Sequence, residues 1–275
     1  MRISQAILPV AGLGTRFLPW TKVVPKELLP IGNQPIIAHL VDECLSVGID
    51  DICFVISKGK ETIPQYFYAD PSLERELQRR GKHAALEELK RYETVRLHVV
   101  YQDEQHGDGH AILQAAPWVQ SDSLAVLFGD DLVVGERNGL QQLLDAVGML
   151  PEGERVGAAM LLLENVPRES VRKYGIADVA AATADGRLSA VRGLVEKPEP
   201  ALAPSTLGVV GKYVIPRRIF DLLPQVEGSH GGEIRLVDAL IKHLQDAPVY
   251  GYELTGTRYD TGTPEGYKHA VRELG

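Results

Sequence analysis

Cysteine is scarce in this chain: Cys44 and Cys53 are the only two among 275 residues, and both stand inside apolar periodic segments. A disulfide scaffold is therefore excluded, and two buried thiols in a reducing compartment are expected. A chain of this length buries most of its unfolded surface and needs neither disulfides nor a structural metal to fold. Nowhere does an apolar run approach the ~18 residues of a membrane span. The first residues, Met1-Arg2-Ile3-Ser4-Gln5-Ala6, lack the basic stretch and apolar core of a signal peptide. Positive charge is in deficit, with a formal net charge of −8, which argues against general nucleic-acid binding. A few clustered cations still suffice to hold a small anionic substrate. His39, His83, His98, His243 and His269 show no metal-ligand spacing, and no nucleophile elbow or Ser-His-Asp order occurs. The expectation is a cytoplasmic protein with no membrane and no nucleic-acid partner.

What is present is β/α alternation. Strands are expected at Gln5–Val10, Asp51–Ser57, Arg96–Tyr101 and Ser123–Phe128. Helices are expected at Ile36–Val47, opened by Pro35 and closed by Gly48, and at Leu73–Tyr92, Ala111–Val119 and Gly139–Leu150. Gly81 is a possible break in the second of these. The pattern predicts a parallel sheet covered on both faces. From residue 156 the chain turns β-rich, with strands at Val156–Leu163, Ile176–Ala181, Leu188–Val195 and Leu207–Ile215 and a hairpin signal at Asp185-Gly186. Helices at Arg218–Leu223, Leu236–Gln245 and Pro264–Leu274 follow. No Pro/Gly/Ser linker or internal repeat divides the chain, so residues 1–275 read as one α/β domain with a β-rich insertion.

Chemistry concentrates first in the loop after the opening strand, Ala11-Gly12-Leu13-Gly14-Thr15-Arg16-Phe17-Leu18-Pro19. Gly12 and Gly14 permit positive φ and close approach of backbone amides to an anion. Taken alone, such a Gly-x-Gly also fits an ordinary tight turn. A dinucleotide fingerprint would need a third glycine at Phe17, and a Walker A loop would need Gly-Lys-Ser/Thr. Arg16 is suited to a polyphosphate. The loop runs on through Thr21-Lys22 and Pro25-Lys26-Glu27-Leu28-Leu29-Pro30, too long for a simple βα turn.

The combined pattern, Gly-Leu-Gly-Thr-Arg-Phe-Leu-Pro followed by Pro-Lys-Glu-Leu-Leu-Pro, resembles the signature of the sugar-phosphate nucleotidylyltransferase family, and most of all its uridylyltransferase branch. Five further segments carry the resemblance along the chain. Gln102 with Gly107-Asp108-Gly109-His110-Ala111 is similar to the family's base pocket, where a Gln amide can pair with the edge of uracil. Gly129-Asp130-Asp131 resembles the metal segment, and an Asp beyond a strand's carboxyl end is well placed for a ligand. Tyr174-Gly175-Ile176 and Val195-Glu196-Lys197-Pro198 resemble the sugar and sugar-phosphate segments. Val210-Gly211-Lys212-Tyr213 and Arg258-Tyr259-Asp260-Thr261-Gly262 complete the set.

The resemblance implies a Rossmann-like α/β/α nucleotidyltransferase fold with a mixed central sheet and a β-rich sugar-binding insertion. Residues 1–150 would be mainly nucleotide-binding, and 151–275 would hold the sugar and the second metal ligand. It implies transfer of the uridylyl group of UTP to glucose 1-phosphate, giving UDP-glucose and pyrophosphate with Mg²⁺. Arg16, Lys26 and Lys197 would be catalytic, and Ala11, Gly12, Gly14, Thr15, Gln102 and Gly107 nucleotide-binding. Gly175, Glu196 and Gly211 would hold the sugar, and Asp130 and Asp260 the metal, which suits an ion that takes few protein ligands. A homodimer or homotetramer is implied on the same basis. His106, Trp20, Arg235 and Val237 depart from the family's usual residues. A sister activity on dTTP or CTP, or a non-catalytic regulator that binds a nucleotide sugar, stays open at this level.

Overall fold

A computed structural model describes residues 3–180, 186–226 and 232–275. Its centre is a nine-stranded sheet. Gln5–Pro9, Asp51–Ile56, Arg96–Tyr101 and Ser123–Leu127 pair in parallel, in the spatial order 96, 51, 5, 123. Gln5–Pro9 is buried at every position, as expected of a strand covered on both faces. Leu207–Pro216 then joins antiparallel to Ser123–Leu127, so the β-rich second half continues the sheet of the first.

Beyond it lie Ala159–Asn165, Val249–Glu253, Leu188–Glu196 and Gly175–Val179. A further pairing of Gly208 with Ile176 folds this end back onto Leu207–Pro216, forming a small closed ring of strands. The first four strands are parallel, as the β/α alternation predicts, and the mixed pairing beyond them makes the mixed central sheet that the resemblance implies. Gly175–Val179 and Leu188–Glu196 are antiparallel neighbours, the arrangement expected of the hairpin signal. Asp185 of that signal, Ala181 at the end of the preceding expected strand, and Gly231 lie outside the described residues.

Several element bounds differ for local reasons. The charge-rich helix splits into Pro71–Arg79 and His83–Leu89, with Gly81 at φ +65° between them. The helix expected at 111–119 runs instead over Asp108–Gln114, because Gly107 opens it earlier and Pro117 supplies no amide for another turn. Val249–Glu253 carries Gly251 and two half-buried tyrosines in place of an unbroken apolar run, and periodicity does not mark it.

Two apolar layers flank the sheet. One includes Ile36, Leu40 and Val41 of the helix Ile36–Ser46, and the other Ile112, Leu236 and Leu240. An ion pair crosses the first layer: Lys212, fully buried, lies 2.6 Å from Glu43, whose other oxygen accepts from the Leu140 amide. Both thiols are free and buried, and desolvation pushes Cys53 up to about 12. They are structural. Among the described residues no helix is long and apolar enough to cross a membrane.

Candidate active site

The loops at the carboxyl ends of the parallel strands converge on one cleft, as expected of an open α/β sheet. One part of it is a cavity of about 330 Å³ walled by Ala11, Gly12, Lys26, Gln102, Gly107 and Asp130, among others. Gly14 takes φ +64°, and its carbonyl accepts from the Thr21 hydroxyl at 2.9 Å, so the Gly-rich loop is held by the segment that follows it. Gly12, Thr15 and Arg16 are exposed at its rim, where Arg16 donates to the Gly262 carbonyl at 3.4 Å. Gly107 (φ +98°) has no room for a side chain: a Cβ there would stand 2.4 Å from the Ile234 carbonyl oxygen. Gln102 is buried and donates its amide to the Gly107 carbonyl at 3.0 Å, fixing the turn that faces the Gly-rich loop.

Glu27, to which the sequence reading gave no role, and Lys60, which it passed over, brace this half. Glu27 is 1% exposed and receives Lys60 Nζ at 3.0 and 3.1 Å. The same ammonium donates to the Val10 carbonyl at 2.7 Å, tying the Lys26 segment to the start of the Gly-rich loop. Burial lowers the pKa of Lys60, against the pull of Glu27. Breaking a buried pair from one side costs about 3–5 kcal/mol. We expect Glu27→Gln to lower the thermal midpoint by roughly 10 °C in a melting experiment, at about 2–4 °C per kcal/mol for a chain of this size. An unchanged midpoint would show that the pair does not brace the loop.

At the far end of the cleft the two carboxylate segments meet. Asp131–Val134 and Thr257–Asp260 form an antiparallel ribbon in which Asp131 stands opposite Asp260. The Thr261 amide and hydroxyl both donate to the Asp130 carbonyl, at 2.7 and 2.9 Å. Asp260 accepts from the Gly262 amide at 2.9 Å. A Cβ on Gly262 would lie 2.7 Å from one Asp130 oxygen and 3.0 Å from one Asp260 oxygen, so both carboxylates close on the same glycine. Lys26 Nζ lies 2.5 Å from Asp130. Burial works against both charges, yet each holds the other ionised, the lysine's pKa raised and the aspartate's lowered.

Among the described residues no three His, Cys, Asp or Glu side chains form a complete metal cage. Two carboxylates that close on one glycine at the end of the cleft fit Mg²⁺, which takes few protein ligands and keeps waters.

A second hollow of about 200 Å³ adjoins the first and shares Asp108 and Glu233 with it. Gly175, Glu196, Lys197, Tyr213 and Arg235 line it. Gly175 sits opposite Glu196 in the sheet, and a Cβ there would come within 3.3 Å of the carboxylate. Lys197 is held at φ +45° by its amide donating to the Tyr174 carbonyl at 3.0 Å. Its side chain is half exposed and 3.1 Å from Glu196. Gly211 is not on this wall: its amide donates to Asp131 at 2.9 Å and its carbonyl accepts from Phe128. Arg235 lies 3.7 Å from Glu196 and 3.1 Å from Glu233, inside the hollow.

Most of the sequence-predicted residues thus line the two adjoining hollows, Gly14, Thr15 and Arg16 line a neighbouring one with Gly262, Asp260 lies on the ribbon, and Gly211 stands apart. Residues 5–275 match the family model described as nucleotidyl transferase. The chain is 40% identical over 267 residues to the UTP–glucose-1-phosphate uridylyltransferase of Bacillus subtilis (strain 168), covering 97% of this chain and 89% of the relative. It superposes on a UTP-bound UGPase from Acinetobacter baumannii with a TM-score of 0.89 at 37% identity, covering 100% of this chain and 94% of that one. A UDP-glucose pyrophosphorylase complexed with UDP-glucose gives a TM-score of 0.85 at 28% identity, covering 99% and 98% of the two chains. The match in sequence, fold and motif order runs almost end to end, and the chain belongs to the nucleotidyl transferase family.

Proposed function

We propose that the protein transfers the uridylyl group of UTP to α-D-glucose 1-phosphate, releasing pyrophosphate and forming UDP-glucose. The observation that carries this reading is the ribbon that sets Asp130 and Asp260 against Gly262, with Lys26 at its mouth and Lys197 across the adjoining hollow.

A phosphate oxygen of the sugar phosphate attacks the α-phosphorus of UTP in line. The new P–O bond forms as the bond to the β-phosphate oxygen breaks, and its electrons leave with pyrophosphate. The nucleophile is already an anion, so no general base is required. What remains for the protein is to bring two polyanions together and absorb developing charge. The Gly12–Thr15 backbone and Arg16 receive the β- and γ-phosphates, and Lys26 leaves Asp130 for the α-phosphate. Lys197 orients the attacking phosphate, while Glu196 accepts from sugar hydroxyls beside the Gly175 backbone. Asp130 and Asp260 are the residues that would hold Mg²⁺. When bound, that ion neutralises phosphate oxygens. A cytoplasmic homodimer or homotetramer completes the reading, on the family resemblance alone.

The test is pyrophosphate release from purified protein with Mg²⁺, crossing UTP, dTTP, CTP, ATP and GTP with glucose 1-phosphate and galactose 1-phosphate. Strong release with UTP and glucose 1-phosphate is expected. Preference for another pair would move the protein to a sister activity. Folded protein that binds UDP-glucose yet releases nothing from any pair would turn the reading to a regulator.

A further inference from the structure

Arg258 has no part in the chemistry above, yet its guanidinium meets three regions of the cleft. The side chain is 7% exposed. Nε donates to Asp131 Oδ1 at 2.6 Å, and Nη2 lies 2.5 Å from the same oxygen. Nη1 donates to Glu164 at 3.0 Å and to the Tyr174 hydroxyl at 3.3 Å. The guanidinium carbon lies 5.2 Å from the centroid of the Tyr174 ring, and Nη2 is 4.0 Å from Asp260 Oδ2.

Each of these partners leads to a different part of the site. Asp131 follows Asp130, and its second oxygen holds the Gly211 amide at 2.9 Å. The carbonyl of Tyr174 receives the Lys197 amide at 3.0 Å, and the next residue, Gly175, walls the second hollow. Asp260 is the other carboxylate of the ribbon. One rigid, planar cation therefore joins the backbone that carries Lys197 to the ribbon that ends in Asp260 and is preceded by Asp130.

A compact ammonium would offset the same negative charges. Its three donors diverge from a single nitrogen, so it would not span Asp131 on one edge and Glu164 with the Tyr174 hydroxyl on the other, as the planar fork does from separate nitrogens. Charge and geometry can thus be separated by experiment.

We infer that Arg258 is a positioning residue that sets the offset between the Lys197 segment and the Asp130–Asp260 pair through the shape of its guanidinium. The inference rests on the reaction proposed above, in which Lys197 brings the sugar phosphate to a nucleotide held beside those carboxylates. A displacement of about 1 Å in such an arrangement costs on the order of a hundredfold in rate.

The test is Arg258→Lys in the full chain, with wild type alongside. We expect kcat/KM for glucose 1-phosphate to fall about a hundredfold. UTP affinity by calorimetry, without added metal, should stay within about threefold of wild type, because uniform nucleotide binding is untouched. Tyr174→Leu keeps the Asp131 contact but removes the ring and hydroxyl. It should raise KM for glucose 1-phosphate about tenfold and leave UTP affinity unchanged. Arg258→Lys with near-wild-type kcat/KM would overturn the inference, since charge alone would then suffice. Joint loss of UTP binding and turnover in both variants would overturn it in favour of a purely structural role, as would an unaltered KM in Tyr174→Leu. A wild-type protein inactive with every nucleotide and sugar phosphate would overturn the reaction, and this inference with it.

Discussion

Asp130→Ala is expected to lower kcat/KM by at least about a hundredfold while the protein remains folded. Asp130 lies in the turn that follows the buried strand Ser123–Leu127, where two carboxylates approach one glycine. Removing one preorganised electrostatic group from such a site costs about 2.7–4 kcal/mol of barrier, which sets the size of the effect. The fold should tolerate the change. Asp130 contributes its carbonyl, not its side chain, to the bonds with Thr261, and Lys26 keeps Glu27 as a neighbouring charge.

Asp130→Asn refines the result. It can still accept from Lys26 but carries no charge, so it should be nearly as impaired as the alanine variant if ion binding is the function. Activity measured against Mg²⁺ concentration, with UTP binding measured separately, distinguishes loss of the ion from loss of the nucleotide. Near-wild-type turnover in a folded variant would remove Asp130 from the proposed site.

The resting pair between Lys26 and Asp130 has a consequence for binding order. Each group helps to keep the other charged against burial. A nucleotide that draws Lys26 to its phosphates uncovers Asp130, and the exposed carboxylate then favours a cation at the same moment. Ion and nucleotide are therefore expected to bind with positive coupling. Each makes the other's partner available, and the coupling is reciprocal.

Much of this site was legible in the sequence because its residues sit in short motifs at strand ends. The Gly-rich loop, Gln102, Asp130 and the Glu196-Lys197 pair each follow a recognisable strand, and topology carries strand ends to one edge. What was not legible depends on pairing across long separations. Asp131–Val134 and Thr257–Asp260 are four residues each and more than 120 positions apart. Neither has enough periodicity to be read as a strand, yet their register is what brings Asp130 and Asp260 together.

Buried ion pairs were equally silent. Glu27 enters the sequence reading only as part of its motif and Lys60 not at all, and only their packing against the Val10 carbonyl shows the pair. Gly211 illustrates a different limit. Its motif marks a close approach, and the neighbours are Asp131 and Phe128: a Cβ would stand 2.5 Å from the carboxylate and 2.7 Å from the Phe128 Cβ. A spacing rule identifies where a side chain is forbidden without identifying what forbids it.

Lys197→Ala is expected to reduce kcat/KM for glucose 1-phosphate by at least about a hundredfold, the other large effect. Lys197 is a non-glycine residue at φ +45°, a backbone conformation that costs an L-residue about 1–2 kcal/mol. Strain of this kind persists only where the surroundings impose it, and here the Tyr174 carbonyl and the Glu196–Gly175 pairing do so. The strain aims the side chain from the end of Leu188–Glu196 into the second hollow. Half-exposed, with Glu196 3.1 Å away, the ammonium contributes little to stability, so its placement is best explained by a ligand. Alanine is the informative replacement because it keeps a Cβ and hence the same backbone cost. The variant should melt within a few degrees of wild type, and the loss in rate then reports the ammonium alone. Glycine would relieve the φ strain at the same time and confound the two. If Lys197→Ala retains its kcat/KM for glucose 1-phosphate while staying folded, the sugar phosphate is held elsewhere. Arg235, in the same hollow 3.7 Å from Glu196, would then be the cation to replace next.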